Sequence, residues 1–369
     1  MAERKRKKRS SGANFALGML VYALVFVLIC AVGLRLLWTF MDEYEQSRPN
    51  KTMDEYVQNL DDGHIRALAA DFVATLDHKV QTEEDSYACI LKAMEGKLSY
   101  AKKSAESSEN RAVYVLSLDG RKLGTVTLTK EEDPAFGFSP WSVAEEEMDF
   151  SWLVSPAAEI TVPDSWTVYC AGNALDKSYI SGEKTPYARL EEFYGEGFDL
   201  PYMVTYHVEN YLGELKFELK DKDGQTAQIP EGQDLESFFA DNCTEQEKAE
   251  VKTLSENFIR AYVWFMSNTN HNAYGNYYEA MQYIVPGSEL DSRLYQTIEG
   301  QYYAHSRGDD IQSITLNSAM NLGGGNYFAD LTYVVDTTGQ KGVVQTTNNL
   351  KLIISRTDDG LKAADIASY

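Results

Sequence analysis

The sequence feature that most restricts this chain is an apolar run from Phe15 to Leu34. The run reads FALGMLVYALVFVLICAVGL, twenty consecutive residues without a charged side chain. An α-helix rises about 1.5 Å per residue, so twenty residues span about 30 Å, the thickness of the hydrocarbon core of a bilayer. We therefore predict a transmembrane helix at residues 15–40, preceded by a basic cytoplasmic tail at residues 1–14.

Charges on the two sides of the run predict its orientation. Six consecutive basic residues, Arg4 to Arg9, precede it, whereas Asp42, Glu43 and Glu45 follow it. Short basic flanks stay on the cytoplasmic side of a membrane, so we expect a cytoplasmic N-terminus and an extracellular location for residues from about 42 onward. The predicted location is the cell membrane, crossed once, and the lipid bilayer is the first predicted partner.

A cleaved signal peptide is the alternative interpretation of the same run. The apolar part of a signal peptide spans about 7–15 residues. This run is longer, although Ala31-Val32-Gly33 has the small residues of a cleavage site. A lipoprotein signal at Cys30 would need a small residue where Ile29 stands. The length of the run favours a retained anchor.

Beyond the run the chain is strongly acidic. The formal net charge is −22, and the rest of the chain is more negative still, because residues 1–41 carry seven Lys or Arg and one Glu. Such a charge repels nucleic acid, so we expect no nucleic-acid partner. Cys89, Cys170 and Cys243 form no C-x-x-C pair, which argues against a zinc ribbon and a disulfide framework. This cysteine usage fits the surface of a Gram-positive bacterium better than a eukaryotic secreted protein.

The next segments predict a small α+β domain at residues 53–152, joined to the membrane helix by a polar stalk at residues 41–52. Apolar residues recur at helical spacing from Leu60 to Leu76, and a second helix is expected at about 86–101. Alternation with a period of two then predicts three strands. They lie at 112–118, 122–129 and 141–150, and Asp119-Gly120 joins the first two as a hairpin turn.

Two further domains are predicted after residue 156. Short strand-like runs, without a convincing helix apart from 186–194, predict a small β domain at residues 157–232. A capping-box pair, Thr244 and Glu247, opens a helix that runs to about Ser267. Two shorter helices and about four strands follow it. Residues 244–369 therefore outline a cone-shaped α+β domain, in which a curved sheet wraps a long helix.

Local motifs in these segments resemble a known family. The stretch Tyr283-Ile-Val-Pro-Gly-Ser288 resembles the NTF2-like (cystatin-like) domains of Gram-positive surface proteins. The likeness extends to three apolar positions after it, Leu290, Leu294 and Ile298. Residues 53–152 look like a second copy, and Ile160-Thr-Val-Pro-Asp164 is similar to the small β modules between such copies. The fold class expected from this resemblance is α+β: one transmembrane helix, then two NTF2-like cone-shaped domains separated by a small β domain.

The order of a basic tail, one span and this train of domains resembles the TcaA-like membrane proteins associated with teicoplanin resistance. That resemblance implies a non-enzymatic protein of the cell envelope, whose extracellular domains bind a cell-wall polymer or another envelope protein. The alternative is a TcpC-like scaffold subunit of a conjugation or type IV secretion complex, which also has a span before two NTF2-like domains. A third hypothesis is a small-molecule pocket enzyme in the C-terminal cone.

No convincing catalytic, cofactor or metal site stands out in the sequence, and we expect none. The five histidines show no H-E-x-x-H spacing, and no G-x-S-x-G motif occurs. Some NTF2-like enzymes pair an Asp or His base with a tyrosine. A pocket enzyme of that kind would have to bring together Asp310, His305, Tyr262 and Tyr274, since acid–base chemistry needs groups within hydrogen-bond reach of the substrate.

Tyrosines crowd one region of the C-terminal domain. Tyrosine suits a packed core, and it also suits a surface that binds carbohydrate or peptide, because its ring is apolar and its hydroxyl is polar. Both interpretations stay open from sequence. The predicted ligand or partner surface consists of Tyr262, Tyr274, Tyr278, Tyr302 and Tyr303.

Overall fold

The computed structural model describes residues 11–132, 137–195, 197–221, 224–229, 233–300, 308–339 and 341–369. Over these ranges the protein is a mixed α+β chain, with antiparallel sheets and one long apolar helix near the N-terminus. The described residues divide into two units. Unit 1 comprises the residues up to Ser155 together with Asn210–Glu214, and unit 2 comprises Pro156–Glu209 together with Leu215–Tyr369.

In unit 1, helices precede an antiparallel sheet. The helices are α1 (Ser11–Gln46), α2 (Pro49–Gln58), α3 (Asp62–Val73) and α4 (Glu83–Ala93). The strands are β1 (Leu98–Lys102), β2 (Arg111–Leu118), β3 (Arg121–Lys130) and β4 (Trp141–Met148), hydrogen-bonded in that order. Apolar side chains of α2, α3 and α4 pack with one face of the sheet to form the core of this unit.

The helix α1 is long and apolar enough to span a membrane. Its large apolar side chains from Phe15 to Met41 are 45–77% exposed, although Phe40 contacts the ring of Phe138 edge-on at 5.1 Å. Apolar surface left in water costs roughly 25 cal/mol per Å², and a lipid environment removes that cost. The orientation of α1 across a membrane stays a prediction.

The polar residues after the apolar run are helical, which corrects the predicted stalk at residues 41–52. The helix α1 continues to Gln46, because acidic and amide side chains are tolerated in an exposed helix, and α2 begins at Pro49. Proline suits a first helical turn, where its missing N–H would have no partner. The indole of Trp141 donates to the carbonyl of Ser47 at 2.9 Å, so the junction is tied to the sheet rather than extended.

The predicted helix at 86–101 is wrong at its C-terminal end. The helix α4 ends at Ala93, and β1 pairs with β2 from Leu98 opposite Leu118 to Lys102 opposite Tyr114. Local periodicity does not reveal this pairing, because the partner strand lies further along the chain. The hairpin after β2 is confirmed: Asp119-Gly120 joins β2 to β3 with positive φ at both residues, as a type I′ turn requires.

In unit 2, short strands precede helices and a long four-stranded sheet. The short strands are β5 (Ala158–Pro163), β6 (Thr167–Cys170), β7 (Asn173–Ala174), β8 (Ile180–Pro186), β9 (Tyr202–Val208) and β10 (Phe217–Lys220). The helices are α5 (Leu235–Ala240), α6 (Glu245–Ser267), α7 (Ala273–Ala280) and α8 (Glu289–Gly300). The long strands are β11 (Gly308–Gly323), β12 (Asn326–Gly339), β13 (Gly342–Thr357) and β14 (Gly360–Ser368), hydrogen-bonded in that order.

The two domains predicted at 157–232 and 244–369 share a core inside unit 2. Leu190 and Phe193, in a short 3₁₀ turn at Ala188–Phe193, pack against Phe328 and Ile353 of the long sheet. All four of these side chains are buried. The other face of the sheet packs against α6, α7 and α8. The long sheet therefore has apolar side chains on both faces, unlike a sheet that is solvated on one side.

Segment 210–214 belongs to unit 1, although it lies in the range predicted as the small β domain. Leu212 is 1% exposed and lies in the core of unit 1. The side chain of Gln81 donates to the carbonyl of Leu212 at 2.7 Å and accepts from its N–H at 2.9 Å. The N–H of Ser155 also donates to the carbonyl of Tyr211 at 2.9 Å. We call this arrangement the Leu212 clamp.

We expect Gln81→Ala to loosen the Leu212 clamp without unfolding unit 1. The substitution leaves two backbone groups of a buried residue without the amide that satisfies them, at a cost of about 1–3 kcal/mol each. Hydrogen–deuterium exchange of the full chain in detergent should show the N–H groups of 210–214 exchanging at least tenfold faster, since about 1.4 kcal/mol corresponds to a factor of ten.

Gln58→Ala, at an exposed position of α2, is the matched control and should leave exchange at 210–214 unchanged. Equal exchange in the two variants would show that the Gln81 amide does not hold the segment.

Candidate binding surface

The helix α6 begins with the capping box that the sequence predicts. The hydroxyl of Thr244 accepts from the N–H of Glu247 at 3.3 Å, and the carboxylate of Glu247 accepts from the N–H of Thr244 at 2.8 Å. Each side chain thus satisfies a backbone donor that the helix itself cannot satisfy. The capping box is therefore confirmed, and α6 runs to Ser267.

The same carboxylate fixes α6 to the long sheet. Its second oxygen accepts from the side-chain amide of Asn321 on β11 at 2.8 Å and from the hydroxyl of Tyr327 on β12 at 3.2 Å. Charge-assisted hydrogen bonds of this kind are stronger than neutral ones. Glu247 therefore joins a helix end and two strands that are more than seventy residues away in sequence.

Successive turns of α6 present two different faces. One face packs into the core of unit 2 through a set of fully or nearly fully buried side chains: Val251, Leu254, Phe258, Ile259, Val263 and Phe265. The outward face carries Thr253, Asn257, Arg260 and Trp264, spaced three or four residues apart. This outward face forms the floor of a groove.

The groove consists of two adjoining depressions of about 640 Å³ and 470 Å³, which share Asn257, Gln282 and Tyr283. Its floor extends along α6 from Gln246 to Trp264, a rise of about 27 Å at 1.5 Å per residue. Its far walls are the 3₁₀ turn at Met281–Tyr283 and the β13–β14 turn. We call it the α6 groove and define it by the residues that line these two depressions.

Charges in the α6 groove are balanced, although the protein as a whole is acidic. Three basic and three acidic side chains line it: Arg260, Arg356, Lys362, Glu250, Glu279 and Asp359. Arg356 donates to Glu250 at 2.7 Å and to the hydroxyl of Tyr327 at 3.2 Å. The hydrogen bond from Arg356 holds the pKa of the Glu250 carboxyl below its ordinary value, so this pair stays ionised at neutral pH.

The predicted tyrosine surface is divided by the structure. Tyr262 lies against the core and stacks on Phe258 with ring centroids 5.7 Å apart, and burial raises the pKa of its hydroxyl. Tyr274 and Tyr278, on α7, are 53% and 67% exposed. Tyr302 and Tyr303 lie outside the described residues.

Tyr277 organises the exposed tyrosines of α7. It is buried, its hydroxyl donates to Asp291 at 2.5 Å, and its ring contacts the rings of Tyr278 and Tyr295 edge-on. Burial and then the bond to Asp291 raise the pKa of this hydroxyl. Tyr278 and Tyr295 therefore form a small aromatic surface that packs on the buried ring of Tyr277. This surface does not line the α6 groove.

The residues considered for a pocket enzyme lie in different surroundings. Asp310, on β11, is exposed and accepts from the side chain of Gln312. Tyr262 faces the core, Tyr274 is exposed on α7, and His305 lies outside the described residues. A buried carboxylate does occur in unit 2: Asp365 is 2% exposed, and it pairs with Arg293 and accepts from the N–H of Ile366 at 2.8 Å.

Reasoning from the sequence missed the α6 groove. A usable signal was present in α6, where polar residues at 253, 257 and 260 precede an exposed Trp264 on the same helical face. The walls could not be predicted, because Gln282 lies in a 3₁₀ turn and Arg356 near the end of β13, and only the packing of the folded unit brings them together.

Comparisons with known proteins give little further information. No family model matches the sequence, and no curated protein matches it. A solved structure described as an "Ntf2 like protein involved in plasmid conjugation" is matched over 82% of this chain and 88% of that chain, with 9% sequence identity and a TM-score of 0.26. A similarity at this level carries no argument about the fold or function of the present chain.

We expect Glu247→Ala to destabilise unit 2. It removes both the capping box and the bonds from Asn321 and Tyr327, for a combined cost of about 2–3 kcal/mol. Thermal unfolding followed by circular dichroism should show the transition of this unit lowered by roughly 4–12 °C.

Glu245→Ala tests the same helix turn at a side chain that is 95% exposed, and its transition should stay within roughly 2 °C of the parent. A shift of equal size in both variants would mean that Glu247 acts only through its charge near the helix end.

Proposed function

We propose that this protein is a non-enzymatic, membrane-anchored binding protein of the cell envelope. In this proposal α1 spans the bilayer with the basic residues before it in the cytoplasm, and both units lie outside. The α6 groove binds an extended chain, either a cell-wall polymer or a segment of another envelope protein. The exposure of the large apolar side chains of α1 from Phe15 to Met41 is the observation that carries the anchoring.

The dimensions of the α6 groove support an extended ligand. A floor of about 27 Å is long for a compact metabolite, which is normally enclosed on most sides. A peptide of about eight extended residues covers the same length at about 3.3 Å per residue, and a short run of linked sugars has a similar extent.

The chemistry of the groove supports a polar, uncharged or mixed-charge ligand. Asn257 and Gln282 offer both donors and acceptors, and Trp264 is 41% exposed with its ring available for stacking. The balanced charges mean that neither a strongly basic nor a strongly acidic ligand is favoured. Wall glycans, wall peptides and polar protein segments share these properties.

The surroundings of the acid–base candidates support a role without catalysis. General acid–base catalysis needs a carboxylate or imidazole and a second group that converge on one substrate atom. Asp365, a buried carboxylate, is already compensated by Arg293 and by a backbone N–H. A carboxylate satisfied in this way is better suited to holding α8 on β14 than to accepting a proton.

The anchoring part of the proposal predicts resistance to alkaline extraction. The parent protein should stay in the membrane pellet at alkaline pH, because a transmembrane helix is not held by surface charge. Val25→Lys combined with Leu28→Lys places two charges in the centre of the run, at about 2.5–3.5 kcal/mol each, and should release the protein. Thr39→Lys combined with Met41→Lys adds the same charges at the end of the predicted span, residues 15–40, where long side chains reach the headgroups. This variant should stay in the pellet. Release of the parent protein would refute the anchor.

The binding part predicts that groove residues, and not the tyrosines of α7, control retention on envelope material. The measurement is the affinity of the detergent-solubilised full chain for purified peptidoglycan, or for an envelope protein identified by crosslinking to this chain in cells. Trp264→Ala should lower that affinity by at least tenfold. Tyr274→Ala removes an aromatic ring of similar exposure outside the groove and should have no effect. Loss of binding only in Tyr274→Ala would move the site to the α7 surface. Co-purification of the parent with an ATPase and a channel, insensitive to both changes, would favour the secretion scaffold.

A further inference from the structure

Within the part of the chain that the structure describes, the long sheet of unit 2 has two edges without a pairing strand over part of their length. At one edge, β11 pairs with β12 on one side only along most of its length. At the other, β14 pairs with β13 from Leu350 onward, so residues 342–349 of β13 pair with β12 alone. We call residues 342–349 the neutral edge. Free edges offer unpaired N–H and C=O groups to another strand.

The β11 edge is irregular. Its pairing with β12 shifts register at three places, between Ile311 and Ser313, between Leu316 and Ser318, and between Asn321 and Gly323. Such bulges twist a strand and interrupt its hydrogen-bonding pattern, which is one way in which proteins protect an edge from pairing with another chain. Asp309 and Asp310 add charge near its start.

The neutral edge has none of these protections. It reads GVVQTTNN, without a charged residue or proline, and its pairing with β12 is regular over its whole length. Val343 and Val344 are 63% and 59% exposed, which is unusual for apolar β-branched side chains on successive positions. Residues 311–329, which include most of β11, are also uncharged, so the neutral edge is distinguished from the β11 edge by its regular pairing and its exposed valines rather than by charge alone.

We propose that the neutral edge binds the same edge of a second copy of this chain, so that two long sheets join into one. In an antiparallel pair with two-fold symmetry, each residue lies opposite a residue of the other copy, and the two side chains point to the same side of the joined sheet. Centring the pair on Gln345 sets Val343 opposite Thr347 and Val344 opposite Thr346 of the other copy. These are pairs of β-branched side chains, which stabilise antiparallel strands by about 0.2–1 kcal/mol each relative to alanine.

A second copy fits this edge better than an unrelated acidic or basic strand. Two copies of a chain with a net charge of −22 repel each other over most of their surfaces, and the repulsion is smallest where both are uncharged. A basic partner would instead be attracted to the acidic surfaces elsewhere and would gain nothing at a neutral strand. Two-fold symmetry also lets one strand edge supply both halves of the interface.

The test is the mass of the full chain in detergent, measured by sedimentation equilibrium. The parent should form a dimer. Val344→Lys combined with Thr346→Lys should weaken dimerisation at least tenfold, because the symmetry sets each lysine opposite a lysine of the other copy. These changes lower the net negative charge, so a general reduction in repulsion between copies would have the opposite effect.

Ser313→Lys combined with Thr315→Lys is the matched control. It adds the same charges at the same spacing to exposed positions of the β11 edge, and its dimerisation should stay within about twofold of the parent. A parent that remains monomeric up to about 100 µM would overturn the proposal, as would a dimer that survives in the Val344 and Thr346 variant or is lost equally in both variants.

A second measurement does not depend on lysine. In a Cys30→Ser background, Gln345→Cys should form a disulfide with the other copy under mild oxidation, since cross-strand cysteines at the symmetry axis lie within bonding distance. Thr338→Cys, on β12 and away from the edge, should not. Crosslinking of the Thr338 variant alone would place any dimer interface elsewhere.

Discussion

The arrangement of unit 2 depends on one carboxylate that serves three elements. Glu247 closes the first turn of α6 and accepts hydrogen bonds from β11 and β12. Because the strands are fixed relative to the helix end, the direction of α6 across the sheet is fixed as well. The apolar residues of α6 decide which face of the helix is buried against the sheet, and the polar face opposite them is left to form the α6 groove. A local capping interaction thus has a consequence for the surface of the whole unit.

Unit 1 is organised by a different kind of interaction. The side-chain amide of Gln81 makes hydrogen bonds with both the N–H and the C=O of Leu212. It therefore satisfies both backbone groups, as the backbone of a paired β-strand does. Leu212 supplies an apolar side chain to a core that otherwise comes from residues before 155. Burial of the apolar side chain of Leu212 provides most of the stabilisation. The Gln81 amide supplies the hydrogen bonds that the buried backbone N–H and C=O of Leu212 need.

Those parts of the fold that depend on neighbours in sequence could be predicted. The capping box at Thr244 and the hairpin at Asp119-Gly120 are both determined within four residues, and both are found. The strand at Leu98–Lys102 and the Leu212 clamp were missed, because they are stabilised by partners 12 to more than 100 residues away. The continuation of α1 to Gln46 was missed because its last residues are polar and give no apolar periodicity. The tyrosine pattern also predicted too broad a surface, since spacing alone cannot distinguish Tyr262, which faces the core, from Tyr278, which faces solvent.

The Leu212 clamp also determines how the chain would carry load. Along the covalent path, residues 156–209 separate Ser155 from Asn210, yet both ends of that stretch are held within unit 1. Tension applied between α1 and the residues after 215 would therefore be borne by the clamp before it reached the folded stretch between Pro156 and Glu209. The load would then pass through the hydrogen bonds that Gln81, Asp77 and Ser155 make with residues 210–213, whereas β5, β8 and β9 lie within the stretch that the covalent load path bypasses.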